Sequence, residues 1–86
     1  MIRRELKLEG PGGIQSRPAA MLVQEACKYL SRILIEQGGK TVNAKSMMGV
    51  LSLGLPAQDT LTLVVDGVDE AQAADALAPL VLMMFG

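Results

Sequence analysis

Residues 13–19 place three polar side chains where a helix is expected to begin. Gln15, Ser16 and Arg17 follow a glycine-rich stretch and precede Pro18, which fits the first turn of a helix because its missing N–H has no partner there. Free N–H groups at a helix start, together with a nearby guanidinium, form a corner that binds anions. On the residues alone, a helix capped by Ser16 beside an exposed arginine is the simpler interpretation.

A second junction of the same kind lies at residues 43–49. Ser46 stands before a short apolar segment and is a good N-cap candidate, with Lys45 beside it. If the hydroxyl were phosphorylated, the dianion would be stabilised by the helix dipole and by the lysine ammonium. Plain capping again explains the residues without any modification.

Other reactive groups are few. The chain of 86 residues has no histidine and one cysteine, Cys27. This composition excludes an intramolecular disulfide, a His/Cys zinc site, a catalytic set that needs histidine, and a phosphohistidine. We therefore expect no metal and no cofactor, and we expect Cys27 to be a buried structural thiol within the first helix.

Hydrophobic periodicity predicts the elements that position both junctions. Strands are indicated by alternation or by β-rich apolar runs, and helices by apolar residues at helical spacing, such as Ala19, Val23, Ala26 and Leu30. The predicted order is a strand over residues 2–8, a helix from Ser16 to about Leu30, strands over residues 33–36 and 40–43, a helix over residues 47–53, a strand over residues 61–65, and a last helix that begins at Asp69-Glu70. This β-α-β-β-α-β-α order predicts one α+β domain over residues 1–86, with an antiparallel sheet.

Glycine and proline residues and an apolar tail add detail to the predicted order of helices and strands. Gly38-Gly39 predicts a tight hairpin between two antiparallel strands. Gly10–Gly13 and Gly54 are expected to interrupt regular structure, and Pro79 is expected to give the last helix a kink or a poorly formed end after Ala78. The tail over residues 79–86 is too apolar for one helix face to bury, so we expect exposed side chains there and self-association into a homodimer.

Net charge and hydropathy argue against two classes of partner, nucleic acids and membranes. Eight basic and nine acidic residues give a net charge of −1, which argues against direct binding of nucleic acid. The longest apolar stretch, residues 76–85, is about half of the roughly 20 residues that a membrane span needs. We expect a cytoplasmic protein with no contact to nucleic acid or membrane.

Taken together, the two junctions resemble a known family. Residues 13–20 (Gly-Ile-Gln-Ser-Arg-Pro-Ala-Ala) are similar to the active-site segment of HPr, the histidine-containing phosphocarrier of the bacterial sugar phosphotransferase system. Residues 43–54 are similar to its regulatory-serine segment, and Gly67 and Asp69-Glu70 also match. The resemblance implies an open-faced sandwich, with strand order 1-4-2-3 and three helices on one face.

One departure from the family pattern has a chemical consequence. The family carries its phosphorylated histidine at the position of Gln15. A carboxamide has no nucleophilic imidazole nitrogen, so this chain should not relay phosphate from phosphoenolpyruvate. Glutamine at this place is similar to the catabolite-repression branch of the family, Crh.

That resemblance implies a regulatory, non-enzymatic protein. Ser46 would be phosphorylated by an ATP-dependent HPr kinase/phosphorylase, and the phosphorylated protein would bind a CcpA-type repressor. Gln15 and Arg17 would contact partners, and Met47, Met48 and Leu51 would form an apolar pad around the phosphate. Ordinary core packing of Met47 and Leu51 is an equally good reading.

Two alternatives remain open at this point. In the first alternative, the chain would be an HPr-like binding module that no kinase modifies and that competes with HPr for shared partners. In the second, it would be a true phosphocarrier in which Gln15 replaces a natural histidine.

Overall fold

The computed structural model describes residues 1–8, 14–53 and 60–85. Seven elements follow one another in the predicted order. They are β1 (Ile2–Lys7), α1 (Ser16–Ala26), β2 (Arg32–Gln37), β3 (Lys40–Asn43), α2 (Met47–Leu51), β4 (Thr60–Asp66) and α3 (Glu70–Met84). The predicted interruptions at Gly10–Gly13 and at Gly54 lie outside the described residues.

The strands form one antiparallel sheet with the order β1-β4-β2-β3. The central strand β4 pairs with β1 on one side and with β2 on the other, so that Val65 lies between Ile2 and Ile33. Because side chains alternate along a strand, this register directs Ile33, Ile35, Leu63 and Val65 to the same face, where all four are buried. The expected α+β architecture and strand order are confirmed.

The helices supply the other half of the core. Ala19, Leu22 and Ala26 of α1 are buried, and α1 packs against both α3 and α2. In α3 the helical spacing of apolar residues predicts an inner face formed by Ala74, Leu77, Val81 and Met84. This prediction is confirmed, since all four side chains are fully buried. The chain has only two aromatic residues, so aliphatic side chains and alanines form most of this core.

The hairpin between β2 and β3 forms as its glycines predict. Gly38 and Gly39 both adopt positive φ angles, 55° and 82°, as the favoured two-residue hairpin turns require. The register pairs Gln37 with Lys40 directly across the turn. The sequence pattern was sufficient here because the turn is determined locally.

The first helix differs from its prediction at both ends. Gln15, not Ser16, is the N-cap residue, and α1 ends at Ala26, with Cys27 as its C-cap. Leu30 is 83% exposed instead of lying on the inner face, and Cys27 is exposed instead of buried. The physical reason lies in distant contacts, because the loop after α1 is held by Lys45, next to Ser46, and by Asp69, directly before α3.

The last helix also departs from expectation. It continues through Pro79 to Met84, so a poorly formed end after Ala78 is not what the structure shows. The alternative, a kink at Pro79, stays a prediction. Burial of Val81, Met84 and Phe85 against the core outweighs the single backbone hydrogen bond that proline cannot make. Leu82 and Met83 stay 40% and 50% exposed, which confirms that one face cannot bury the whole tail. No helix within the described residues has the length and apolar character of a membrane span.

Candidate functional site

Ser46 is the N-cap of α2, as predicted. Its hydroxyl oxygen accepts a hydrogen bond of 3.1 Å from the N–H of Gly49, and its carbonyl accepts one of 2.9 Å from the N–H of Val50. The side chain is half-buried at the junction between loop and helix. The hydroxyl is therefore fixed in one orientation while it remains at the surface.

The loop that presents Ser46 is ordered by Asn43. The Asn43 side-chain oxygen accepts a bond of 2.9 Å from the N–H of Lys45, and its carbonyl accepts one of 3.0 Å from the N–H of Ser46. Buried Ala44 donates its N–H to the carbonyl of Ile33 in β2. An asparagine that bonds the N–H two residues ahead is a common turn former, so Asn43 is the residue from which this turn could be predicted.

Lys45 ties this loop to the segment after α1. Its ammonium donates a 2.7 Å hydrogen bond to the carbonyl of Tyr29. The lysine was expected to stabilise a charge on Ser46, but in the unphosphorylated protein its ammonium binds the carbonyl of Tyr29 instead. The thiol of Cys27 lies 3.9 Å from the Lys45 carbonyl, as a weak donor. Cys27 is thus an exposed neighbour of the serine loop, not a core thiol.

The three candidate pad residues on α2 have different environments. Met48 is 85% exposed and Leu51 is 43% exposed, whereas Met47 is partly buried and packs against the core. Core packing therefore accounts for Met47, and the exposed apolar surface next to Ser46 comes from Met48 and Leu51. Met48 and Leu51 are three residues apart in α2, so their exposed side chains are neighbours on the helix that the Ser46 hydroxyl caps.

The other junction, at the start of α1, lies beside the end of α3. The N–H of Gln15 donates to the carbonyl of Met84 over 2.9 Å, and the Gln15 carbonyl accepts from the N–H of Ala19. Both Gln15 and Arg17 are exposed. Among the residues that the structure describes, no hydrogen bond or ion pair involves the guanidinium of Arg17. Ser16 makes no cap because it is already the first residue of the helix.

The two junctions do not form one pocket. Gln15 precedes the first turn of α1, whereas the Ser46 loop contacts Cys27, directly after the last turn. Eleven residues at 1.5 Å each give this helix a length of about 16 Å. Gln15 and Arg17 therefore lie at the opposite end of α1 from Ser46.

A third junction, before α3, holds the loop after α1 in place. The Asp69 carboxylate accepts hydrogen bonds from the backbone N–H groups of Leu30 and Ser31, at 2.9 and 3.0 Å, and from the Ser31 hydroxyl. The Ser31 hydroxyl, followed by the Leu30 N–H, lowers the pKa of Asp69 below its ordinary value. Negative charge at Asp69 and Glu70 suits the start of α3, where the helix dipole favours it. The Asp69 side chain makes no cap hydrogen bond to α3, and its hydrogen bonds go to the loop after α1.

Comparison with known proteins places these features in a family. The chain matches the family described as "PTS HPr component phosphorylation site" over residues 2–82. It is 46% identical over 77 residues to the HPr-like protein Crh of Halalkalibacterium halodurans, a match that covers 90% of this chain and 92% of that protein.

Solved structures agree over almost the full chain. A crystal structure of HPr-C-His from Thermoanaerobacter tengcongensis has a TM-score of 0.83 and 40% identity, and covers 100% of this chain and 97% of that one. Bacillus subtilis Crh, described as a dimer with a swapping domain, has a TM-score of 0.74 and 40% identity, with coverages of 96% and 95%. The chain therefore belongs to the HPr family of the bacterial phosphotransferase system.

Proposed function

We propose that this chain is a regulatory HPr-like protein of carbon catabolite repression. An HPr kinase/phosphorylase phosphorylates Ser46, and the phosphorylated protein binds a CcpA-type repressor. The observation that carries the proposal is the pairing of a fixed surface hydroxyl at Ser46 with a glutamine at position 15, in a chain 46% identical to a Crh protein.

The modification is a simple phosphoryl transfer. The Ser46 oxygen forms a bond to the γ-phosphorus of ATP while the bond from that phosphorus to the bridging oxygen of ADP breaks. The hydroxyl proton passes to a base of the kinase. Because the Ser46 oxygen is an acceptor in a hydrogen bond with Gly49, its own proton is not used by that contact and is available to the base.

The loss of the phosphorelay follows from residue chemistry. The sequence has glutamine at the position where the family carries its phosphohistidine, and no histidine occurs anywhere else in the chain. A carboxamide nitrogen is not a nucleophile, so phosphoenolpyruvate and the general enzyme of the system have no acceptor here. Gln15 and Arg17 act instead as exposed contacts for partners. The Arg17 guanidinium, which makes no hydrogen bond or ion pair with any described residue, suits an acidic or phosphorylated surface.

The apolar pad explains how a repressor would recognise the phosphorylated form. Met48 and Leu51 present exposed apolar surface on the helix that Ser46 caps. A partner that places a cation over the phosphate can bury these side chains at the same time, and flexible methionines adapt to its surface. The charge of the phosphate on Ser46 then determines whether the repressor binds, and the apolar pad contributes to the affinity.

Titration calorimetry with a purified CcpA-type repressor tests this proposal. The phosphorylated protein should bind, and both the unphosphorylated protein and Ser46→Ala treated with kinase should bind much more weakly. Met48→Ala should weaken binding of the phosphorylated form, whereas Val68→Ala, which truncates another exposed apolar side chain in the loop before α3, should not. Equal binding before and after phosphorylation would instead favour the HPr-like competitor that needs no kinase.

We also propose that the chain self-associates as a homodimer. The Bacillus subtilis Crh structure is described as a dimer, and a structure from Thermoanaerobacter tengcongensis is described as an HPr dimer. Here Leu82 and Met83 leave apolar surface exposed near the end of α3. Size-exclusion chromatography with light scattering should show a mass that rises from monomer to dimer with concentration; a monomer at every concentration would contradict this.

A further inference from the structure

Gly49 occupies a position in α2 that does not need glycine for its backbone conformation. The described glycines with positive φ are Gly38, Gly39 and Gly67, and Gly49 is not among them. It is the third residue of a helix of only five, Met47–Leu51, where alanine would be the better helix former. The reason for glycine must therefore come from what surrounds its missing side chain.

The missing side chain would lie against the Ser46 hydroxyl. A Cβ atom built on Gly49 would be 3.4 Å from the Ser46 oxygen, 3.4 Å from the Ser46 Cβ and 3.4 Å from the carbonyl oxygen of Asn43. These are ordinary van der Waals distances, so a methyl group fits without moving its neighbours. It would, however, fill the space next to the oxygen that must accept a phosphoryl group.

We infer that Gly49 is a specificity-determining residue for phosphorylation of Ser46, because it leaves one side of the hydroxyl open to the phosphoryl donor. This inference depends on the proposed function, since it concerns the same serine. The bare backbone at Gly49 has two effects on Ser46. Its N–H donates the hydrogen bond that orients the oxygen, and its lack of a Cβ leaves room for the phosphorus and its oxygens.

The empty space beside the Ser46 hydroxyl affects the rate of phosphoryl transfer more than it affects the stability of the unmodified protein. Phosphoryl transfer requires the attacking oxygen to lie in line with the bond that breaks, and an error of about 1 Å costs on the order of 100-fold in rate. A methyl group at Gly49 would force the donor to approach from another direction. The variant should therefore still meet the kinase, since Met48 and Leu51 are unchanged, but should react slowly.

The test compares Gly49→Ala with the wild-type chain in steady-state assays with HPr kinase/phosphorylase and ATP, followed by intact mass. We expect kcat to fall by at least about tenfold with little change in KM, while the thermal midpoint stays the same or rises. Gln24→Ala, on the exposed face of α1, is the matched control that also increases helix propensity and should leave kinase kinetics unchanged.

Each outcome is informative. Normal kinetics of Gly49→Ala beside a phosphorylated wild type would overturn the inference and leave the proposed function intact. Slow phosphorylation together with a lower thermal midpoint would mean that the glycine is needed for folding, which also overturns it. A wild-type chain that the kinase does not modify would remove the proposed function and this inference together.

Discussion

Replacement of Ser46 by alanine separates its role in the fold from its role as a phosphate acceptor. The substitution removes the 3.1 Å hydrogen bond from the Gly49 N–H and leaves that donor without its cap. Loss of a serine cap costs about 1 kcal/mol of folding free energy. For a domain of this size, that corresponds to a thermal midpoint lower by about 4–8 °C.

Two further variants make the measurement specific. Ser46→Asp keeps a good cap but offers no hydroxyl, so it should be about as stable as the wild type and still not be phosphorylated. Ser16→Ala is the matched control, because Ser16 was predicted as a cap and in the structure lies inside α1. Its effect should stay within about 0.5 kcal/mol.

Urea unfolding followed by circular dichroism provides the free energies, provided that the slope against denaturant is the same for every variant. Ser46→Ala should be the least stable of the three variants. This expectation is refuted if Ser46→Ala matches the wild type, or if Ser16→Ala costs as much. The first result would mean that the cap at α2 contributes nothing to stability, and the second that the loss is not specific to the cap.

Three other predictions concern the junctions around the site. Gly67→Ala should lower stability by about 3 kcal/mol or more in urea unfolding, since its Cβ would come within 2.5 Å of the Ser31 hydroxyl and 2.6 Å of the Ser31 Cα. Gln15→His should accept a phosphoryl group from phosphoenolpyruvate through the general enzyme, seen by intact mass, whereas the wild type should not. Asp69→Asn should be destabilising at neutral pH. Because the fold lowers the pKa of Asp69, its contribution is present above the ordinary value of 3.8 and is lost as pH falls below it, so unfolding curves of the two proteins should converge in acid.

The elements that the sequence predicted well are those with local causes. Two glycines with positive φ determine the β2–β3 hairpin, and the apolar spacing of Ala74, Leu77 and Val81 determines the inner face of α3. The cap at Ser46 is equally local, because a serine hydroxyl bonds the N–H three residues ahead. The strand order, in contrast, came from the family resemblance and not from any periodicity.

The predictions are wrong where contacts between residues distant in sequence determine the local structure. Leu30 fits the helical spacing of α1, yet its N–H bonds the Asp69 carboxylate, 39 residues away in sequence, and so it lies beyond the helix. The Lys45 ammonium similarly reaches the Tyr29 carbonyl. The sequence of α1 by itself cannot predict these contacts, because the partner residues lie elsewhere in the chain. The same limit explains Gln15, whose N–H bonds Met84 at the far end of the chain.

The candidate site was predicted in part. Ser46, Gln15, Arg17, Met48 and Leu51 are at the surface or half-buried there, whereas Met47 packs against the core. The sequence did not reveal the anchoring of the serine loop or the space beside its hydroxyl, since both depend on atoms brought together by folding. The roles of these residues in binding remain proposals.

The most direct test of the central claim is the intact mass of the protein after incubation with ATP and HPr kinase/phosphorylase, measured for the wild type and for Ser46→Ala. The wild type should gain one phosphoryl group, and the variant should gain none. An unmodified wild type, or an equal mass increase in Ser46→Ala, would contradict the claim that this chain is a regulatory protein switched at Ser46.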